Sequence, residues 1–130
     1  MLLKFYHQSY QELLAKLLEL QKQVLAKDID MITIKSMYQE VQAIFQNQIL
    51  SVRLDELDCN AHREADLFEI ALIRSAQTEI HKNLRLLKTE LLFLTTSRQA
   101  QTTQKRLEKV QEKIKDLIGY SQGIVSQLDQ

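Results

Sequence analysis

The sequence predicts an all-α protein, an antiparallel up-down-up-down four-helix bundle with a long third helix. The chain has no proline and only 2 glycines, so the residues that break helices are almost absent. Apolar residues recur at alternating steps of three and four along most of the chain, which is the period of an amphipathic helix. With 130 residues the chain is long enough to form a single domain, 1–130, whose core needs no disulfide or metal.

A first helix is predicted over about residues 2–27, with Leu14 and Leu25 widening its apolar stripe. The segment AKDID then interrupts the pattern. Asp28 or Asp30 can cap the next helix, because an aspartate carboxylate accepts a backbone N–H from the first helical turn. The residues predicted to face the core are Leu3, Tyr6, Tyr10, Leu13, Leu17, Leu20 and Val24.

A second helix is predicted over about residues 31–51, followed by a linker at 52–58. The linker contains RLDELD, which loses the apolar period and gathers acidic residues, and Asp58 can cap the helix that follows. The residues predicted to face inward from this second helix are Ile34, Met37, Val41, Ile44 and Phe45.

The third helix is predicted over about residues 59–97. It would reach ~58 Å at ~1.5 Å per residue, so it either overhangs the first helix or bends. Its inward residues form a seam like that of a coiled coil, with one polar member. They are Ile73, Gln77, Ile80, Leu84, Leu87, Leu91 and Leu94.

The segment TTSRQAQTT, residues 95–103, predicts the last turn, because threonine and serine favour helix caps over helix interiors. A fourth helix over about 103–128 carries the same apolar rhythm at Leu107, Val110, Ile114, Leu117, Ser121, Ile124 and Leu128. Short connections favour antiparallel neighbours. A long hairpin of the third and fourth helices, with the first two packed on one end, would bury the same residues.

Composition and charge exclude several classes of function. Lysine plus arginine and aspartate plus glutamate both number 17, so the chain has no overall field that attracts nucleic acid. No apolar run approaches the ~20 residues that span a bilayer, which argues against membrane insertion. The single cysteine, Cys59, cannot form an internal disulfide, and no signal peptide is recognisable at the start. We therefore expect a cytoplasmic protein.

The chain offers no recognisable catalytic residues. Glycine-rich phosphate loops and the HExxH, GxSxG and ExxH patterns do not occur, so we expect neither an enzyme nor a cofactor. Cys59, His62 and Asp66 share a spacing that could contact a metal, but zinc takes about four ligands and no fourth is apparent. His7 and His81 are lone helix residues without a neighbouring catalytic pattern. The sequence therefore predicts no metal site.

Apolar residues also occur on the far side of the third helix. Phe68, Leu72, Leu86 and Phe93 project roughly opposite the predicted seam. Two interpretations remain open for them. A long helix sandwiched between two neighbours needs apolar residues all round, whereas an exposed patch would serve a partner or a second copy of the chain.

Charge is unevenly distributed even though it sums to zero. Residues 53–70 are rich in acids, whereas residues 98–115 are rich in bases, among them Arg106, Lys109 and Lys113. Solvated helix faces explain both stretches, and a basic strip that meets an acidic partner is the functional alternative. The candidate partner-binding residues are Phe68, Leu72, Leu86, Phe93, Arg106, Lys109 and Lys113.

Gly119 and Gly123 lie together on the last helix, where fraying or close approach by another backbone would explain them.

Three segments resemble PatD, a family of short cyanobacterial proteins associated with control of heterocyst frequency. They are YHQSYQELLAKLLELQ, IFQNQILSVRLDELD and SAQTEIHKNLRLLKTELLFLTTSRQ, and the similarity runs in register over nearly the whole chain. One departure is Cys59, where the family would place a proline that opens the third helix.

The resemblance implies a non-enzymatic regulator that binds the cell-division GTPase FtsZ and promotes its assembly into filaments. Such a protein would act in the cytoplasm at the division site and influence cell division, cell size and heterocyst frequency. The family supplies no binding residues for this chain. The alternatives are a scaffolding or adaptor protein with another partner, a structural module whose outer face forms a homodimer, and a metal-dependent enzyme built inside the bundle.

Overall fold

The computed structural model describes residues 2–50, 64–96 and 98–128, and these ranges are almost entirely helical. The prediction of an all-α helical bundle is therefore confirmed. The predicted linker at 52–58 and the predicted start of the third helix at 59 lie outside the described residues. The elements are α1 (Leu2–Val24), α2 (Met31–Ile44), a π-helical segment (Phe45–Leu50), α3 (Glu64–Thr96) and α4 (Ala100–Leu128).

The first helix buries the stripe that its period predicted. Each predicted inward residue from Tyr6 to Val24 is at most 1% exposed, whereas the side chain of Leu3 lies outside the described set. The predicted end at residue 27 is wrong, because α1 ends at Val24. Leu25 follows the last residue of α1, although its backbone N–H still donates to the Gln21 carbonyl at 3.0 Å, and its side chain is 62% exposed instead of widening the stripe.

Asp30 caps α2, as one of the two sequence alternatives predicted. Its backbone is extended, with φ −103° and ψ 102°, and its carboxylate accepts hydrogen bonds from the Ile32 backbone N–H (3.1 Å) and the Thr33 hydroxyl (2.7 Å). The first of these bonds satisfies a backbone donor that has no partner within the helix. Led by the bond from the Thr33 hydroxyl, these hydrogen bonds hold the pKa of Asp30 below its ordinary value.

The second helix changes its hydrogen-bond pattern before the predicted end at residue 51. Its α-helical geometry stops at Ile44, and the π-helical segment continues to Leu50. Tyr38 is only 5% exposed although its inward position was not predicted, and Met37 is half-buried against the core. The predicted residues that are buried are Ile34, Val41, Ile44 and Phe45.

The seams of α3 and α4 are confirmed almost throughout. The polar member Gln77 is half-buried, and its side chain hydrogen-bonds Tyr6. Leu107 and Leu128 at the ends of α4 are half-buried against the core. The buried members are Ile73, Ile80, Leu84, Leu87, Leu91 and Leu94 on α3, with Val110, Ile114, Leu117, Ser121 and Ile124 on α4.

The turn between α3 and α4 is shorter than the predicted 95–103. Helix α3 continues to Thr96, and α4 already begins at Ala100. Thr95 and Thr96 tolerate helical positions because their hydroxyls donate back to the carbonyls of Leu91 (2.8 Å) and Leu92 (3.3 Å). The turn therefore falls within the predicted segment but is shorter than that segment.

The helices are arranged so that α4 packs extensively against both α1 and α3, whereas α2 packs on α1 and touches α3 only sparsely. Contacts between α2 and α3 run in opposite order along the two helices. The Tyr38 hydroxyl donates to the Leu84 carbonyl, whereas Phe45, which directly follows α2, lies against His81, which precedes Leu84 on α3. This order shows that α2 and α3 run antiparallel.

Two buried tyrosines provide a test of the core. The Tyr38 hydroxyl donates to the Leu84 carbonyl at 2.8 Å, whereas the Tyr10 hydroxyl is buried without a hydrogen-bond partner in the described part of the chain. We expect Tyr38→Phe to lower the free energy of unfolding by about 1 kcal/mol. Tyr10→Phe should leave it unchanged or raise it by up to about 1 kcal/mol, because the hydroxyl that it removes is unsatisfied. Urea denaturation of both variants measures this difference, and an equal loss in both would contradict it.

The Asp30 cap predicts a pH-dependent stability. A carboxyl whose pKa is lowered by folding stabilises the native state above its ordinary pKa, and that contribution is lost as the pH falls through the lowered folded value. Asp30→Ala should therefore lower the melting temperature by a few degrees at neutral pH, and by progressively less below the ordinary pKa of 3.8. Thermal unfolding followed by circular dichroism gives the measurement. Asp28→Ala, in the same turn, is the control and should have little effect at either pH.

Candidate interaction surfaces

The apolar residues predicted on the far side of the third helix follow one border between α3 and α4. Leu72, Leu86 and Phe93 are separated by multiples of seven residues, so they stay near one face of α3. Arg106, Lys113 and Tyr120 keep the same spacing on α4. We call this border the outer seam, formed by Leu72, Glu79, Leu86 and Phe93 of α3 with Arg106, Lys113, Tyr120 and Gln127 of α4.

Phe93 and Arg106 make the best-defined contact of the outer seam. The guanidinium carbon of Arg106 lies 4.5 Å from the centre of the Phe93 ring, which is within cation–π range. A guanidinium nitrogen of Arg106 also lies 3.5 Å from a carboxylate oxygen of Glu90. The Phe93 side chain remains 43% exposed. Two residues that the sequence placed in separate patches therefore form one surface feature, an aromatic ring and a cation held together.

The middle of the outer seam is polar. The Tyr120 hydroxyl lies 3.5 Å from a carboxylate oxygen of Glu79, and Tyr120 is 37% exposed. The contacts at Phe93 and at Glu79 set the register of the two helices, so that spacing places Leu86 opposite Lys113. Glu79 thus occupies the gap between Leu72 and Leu86.

The other end of the outer seam is an open cleft of about 390 Å³, lined by Leu72 from α3 and by Gly119 and Gly123 from α4. Apart from the helix's own backbone, nothing in the described part of the chain lies within 4 Å of the place that a Cβ atom would take at either glycine. The close backbone approach considered from the sequence is therefore not found within the described residues. Helix α4 continues past both glycines to Leu128.

The candidate residues differ in exposure. Phe68 is 61% exposed and Leu86 is 40% exposed, whereas Leu72 is half-buried and packs against the core. Lys109 is exposed and Lys113 is half-buried, and neither has an ion-pair partner in the described part of the chain. The structure therefore combines the two interpretations of the far side of α3, since α4 partly covers Leu72 and leaves the other three residues at the surface.

A second surface, which sequence reasoning missed, lies on the other flank of α3. Two adjoining cavities of about 360 and 290 Å³ open between α2 and α3, and both are lined by Tyr38, Gln42, Lys88 and Thr89. We call this surface the α2/α3 groove. The spacing of His81, Arg85 and Lys88 was its one sequence signal, because steps of four and three place these residues on one helix face.

No group of three or more histidine, cysteine, aspartate or glutamate side chains within the described ranges is placed to hold a metal ion. The candidate ligands Cys59 and His62, and the side chain of Asp66, lie outside the described residues. The acidic stretch at 53–70 is likewise described only in part, at Glu64 and Glu69. Of the helices described, none has the length and apolar character required to cross a membrane.

Comparison with protein-family models, curated proteins and solved structures finds no significant match to this chain.

The outer position of Leu86 and the core position of its neighbour provide a test of this geometry. Leu87 is 0% exposed and Leu86 is 40% exposed. We expect Leu87→Ala to lower the free energy of unfolding by about 2–5 kcal/mol, because it leaves a cavity in the core. Leu86→Ala should cost less than about 1 kcal/mol. Chemical denaturation of the two variants gives both values, and a large loss from Leu86→Ala would show that the outer seam is structural.

Proposed function

We propose that this chain is a non-enzymatic regulator that binds the division GTPase FtsZ and promotes assembly of its filaments. The partner is taken from the resemblance of three segments to the PatD family. The observation that supports binding by this chain is the Phe93–Arg106 pair, an aromatic ring 43% exposed with a cation 4.5 Å from its centre. Phenylalanine and arginine are both enriched at the cores of protein interfaces, and arginine is also enriched among the residues that dominate binding energy there.

Charge on α4 supports the same surface. Lys109 and Lys113 follow Arg106 along the helix, and neither lysine forms an ion pair with another described residue. Unpaired cations beside an exposed aromatic ring favour a partner surface that carries carboxylates. Such complementarity raises the association rate and fixes the orientation of the complex more than it raises affinity.

Promotion of assembly requires tighter binding to the filament than to the free subunit, because a ligand shifts an equilibrium only by its difference in affinity for the two states. From Leu72 to Phe93 the outer seam extends about 31 Å at ~1.5 Å per residue. Contact with two neighbouring filament subunits at once would give this difference in affinity, because a free subunit offers only one of the two contacts. A cytoplasmic protein that acts in this way at the division site would influence cell division and cell size and, where heterocysts form, their frequency.

Sedimentation of FtsZ polymers with GTP tests the proposal. The protein should pellet with the polymer and increase its amount or lifetime at physiological salt. We expect the double variant Leu86→Ala/Phe93→Ala to bind polymer about tenfold more weakly, because it removes the two exposed apolar residues of the outer seam.

Phe5→Ala/Leu18→Ala is a matched control. Phe5 and Leu18 lie on α1 and are 41% and 42% exposed, close to the 43% and 40% of Phe93 and Leu86. The control should bind as the unchanged protein does. Absence of co-sedimentation by a protein that is helical by circular dichroism would reject FtsZ as the partner. Equal losses in the two double variants would reject the outer seam as the binding surface.

A further inference from the structure

The α2/α3 groove exists because α2 and α3 touch only sparsely, in contrast to the extensive packing of α4 on α1 and α3. Its floor is apolar and closed. Tyr38, Leu84 and Leu91 are each at most 5% exposed, and the Tyr38 hydroxyl is held by the Leu84 carbonyl at 2.8 Å. Leu92 stands at the edge of the groove and is 60% exposed. A ligand would therefore meet a fixed floor and one prominent apolar side chain.

The walls of the groove carry positive charge. Lys35 lines it from α2, whereas Arg85 and Lys88 line it from α3. None of these three cations forms an ion pair with another described residue. Among the residues that the structure describes, no carboxylate lines either cavity. Unpaired cations without a neighbouring acid create a local positive potential that an anionic ligand would neutralise.

Two acidic residues of the helices that form the groove make ion pairs on other sides of those helices. Glu40 of α2 lies 3.5 Å from Lys16 of α1, and Glu90 of α3 lies 3.5 Å from Arg106 of α4. Both carboxylates point toward these other helices. These two carboxylates therefore do not neutralise the cations that line the groove.

The cations are distributed along the groove instead of converging on one point. From His81 through Arg85 to Lys88 the chain advances seven residue steps along α3, about 10 Å at ~1.5 Å per residue. Lys35 lies on the opposite wall. A single small anion could contact only part of this set, whereas an elongated ligand with several carboxylates could contact all of it. An open trough between two helices also has the shape that receives the apolar face of a third helix.

We propose that the α2/α3 groove binds an acidic amphipathic helical segment of a partner protein, whose leucine-like side chains pack on Tyr38, Leu91 and Leu92 while its carboxylates meet Lys35, Arg85 and Lys88. The site lies on the opposite flank of α3 from the outer seam. It stands independently of the identity of the partner proposed above.

A designed peptide serves as the probe. It is a fluorescein-labelled helix of about 18 residues with leucine at i, i+3, i+4 and i+7 on one face and glutamate elsewhere. We expect saturable binding by fluorescence anisotropy, with affinity falling as salt rises from about 50 to about 200 mM, because exposed charges are increasingly screened. A peptide with lysine in place of every glutamate should not bind, and one of the same composition with dispersed leucines should bind far more weakly.

Charge reversal locates the site. Arg85→Glu/Lys88→Glu should weaken peptide binding by roughly tenfold or more, because it places like charge against the ligand. Lys105→Glu/Lys115→Glu changes the net charge equally on the exposed surface of α4, which does not border the groove, and should change affinity by less than about twofold. Thermal unfolding confirms that both variants are folded.

Three results would overturn the proposal. They are the absence of saturable binding at about 1 mM peptide in low salt, equal losses in the two charge-reversal variants, and equal binding of the acidic and basic peptides. A fourth result would also overturn the proposal, in favour of a small amphipathic anion as the ligand. In that result decanoate saturates the groove and Arg85→Glu/Lys88→Glu blocks its binding, whereas the acidic peptide does not bind. FtsZ sedimentation has no part in these outcomes, so this proposal and the proposed function can fail separately.

Discussion

The packing of α4 between α1 and α3 is the constraint on which the rest of the structure depends. Val110, Ile114 and Leu117 are completely buried, and α4 shares extensive contact with both neighbours. Because the apolar stripe of α1 is also completely buried from Tyr6 to Leu20, these three helices form the dense part of the core. Helix α2 is the exception, since it packs on α1 and reaches α3 through few contacts.

This asymmetry gives α3 two different flanks. Toward α4, the outer seam is a border between tightly packed helices, and its apolar members are partly covered, as Leu72 is, or stand at the surface, as Phe93 does. Toward α2, the helices separate enough to leave open cavities with basic walls. A single rigid helix thus presents an aromatic and basic edge on one side and a basic trough on the other.

The sequence predicted the dense core well because burial in a helix repeats at a period that is visible in one segment. The stripes of α1, α3 and α4 follow from spacing alone. Prediction failed where the structure depends on local hydrogen bonds that spacing does not encode. Leu25 was assigned to a helix that ends at Val24, and Thr95 was assigned to a turn although its hydroxyl bonds within α3. The π-helical segment begins at Phe45 without a proline or glycine to signal it.

Of the surfaces, the outer seam was partly predictable and the α2/α3 groove was not. Phe93 and Leu86 could be identified from the sequence, because a helix with a single buried stripe does not need apolar residues on its opposite side. The pairing of Phe93 with Arg106 could not be predicted from the sequence, because it depends on the register between α3 and α4. Predicting the α2/α3 groove would require the distance between two helices as well, because the groove exists only where α2 and α3 do not pack closely together. Lys35 and Lys88 are ordinary surface residues until the fold places them on facing walls.

The weak contact between α2 and α3 has an energetic consequence for any ligand of the groove. The described contacts across this gap include the hydrogen bond from Tyr38 to Leu84 and the ring contact of Phe45 with His81, at 6.3 Å between centroids. The packing between α2 and α3 is therefore less complete than the packing between the other neighbouring helices. A third helix in the groove would supply it and bury Leu92, which is 60% exposed in its absence. Because such a ligand binds only the folded arrangement, it would raise the free energy of unfolding by RT ln(1 + [L]/Kd), where [L] is the concentration of free ligand.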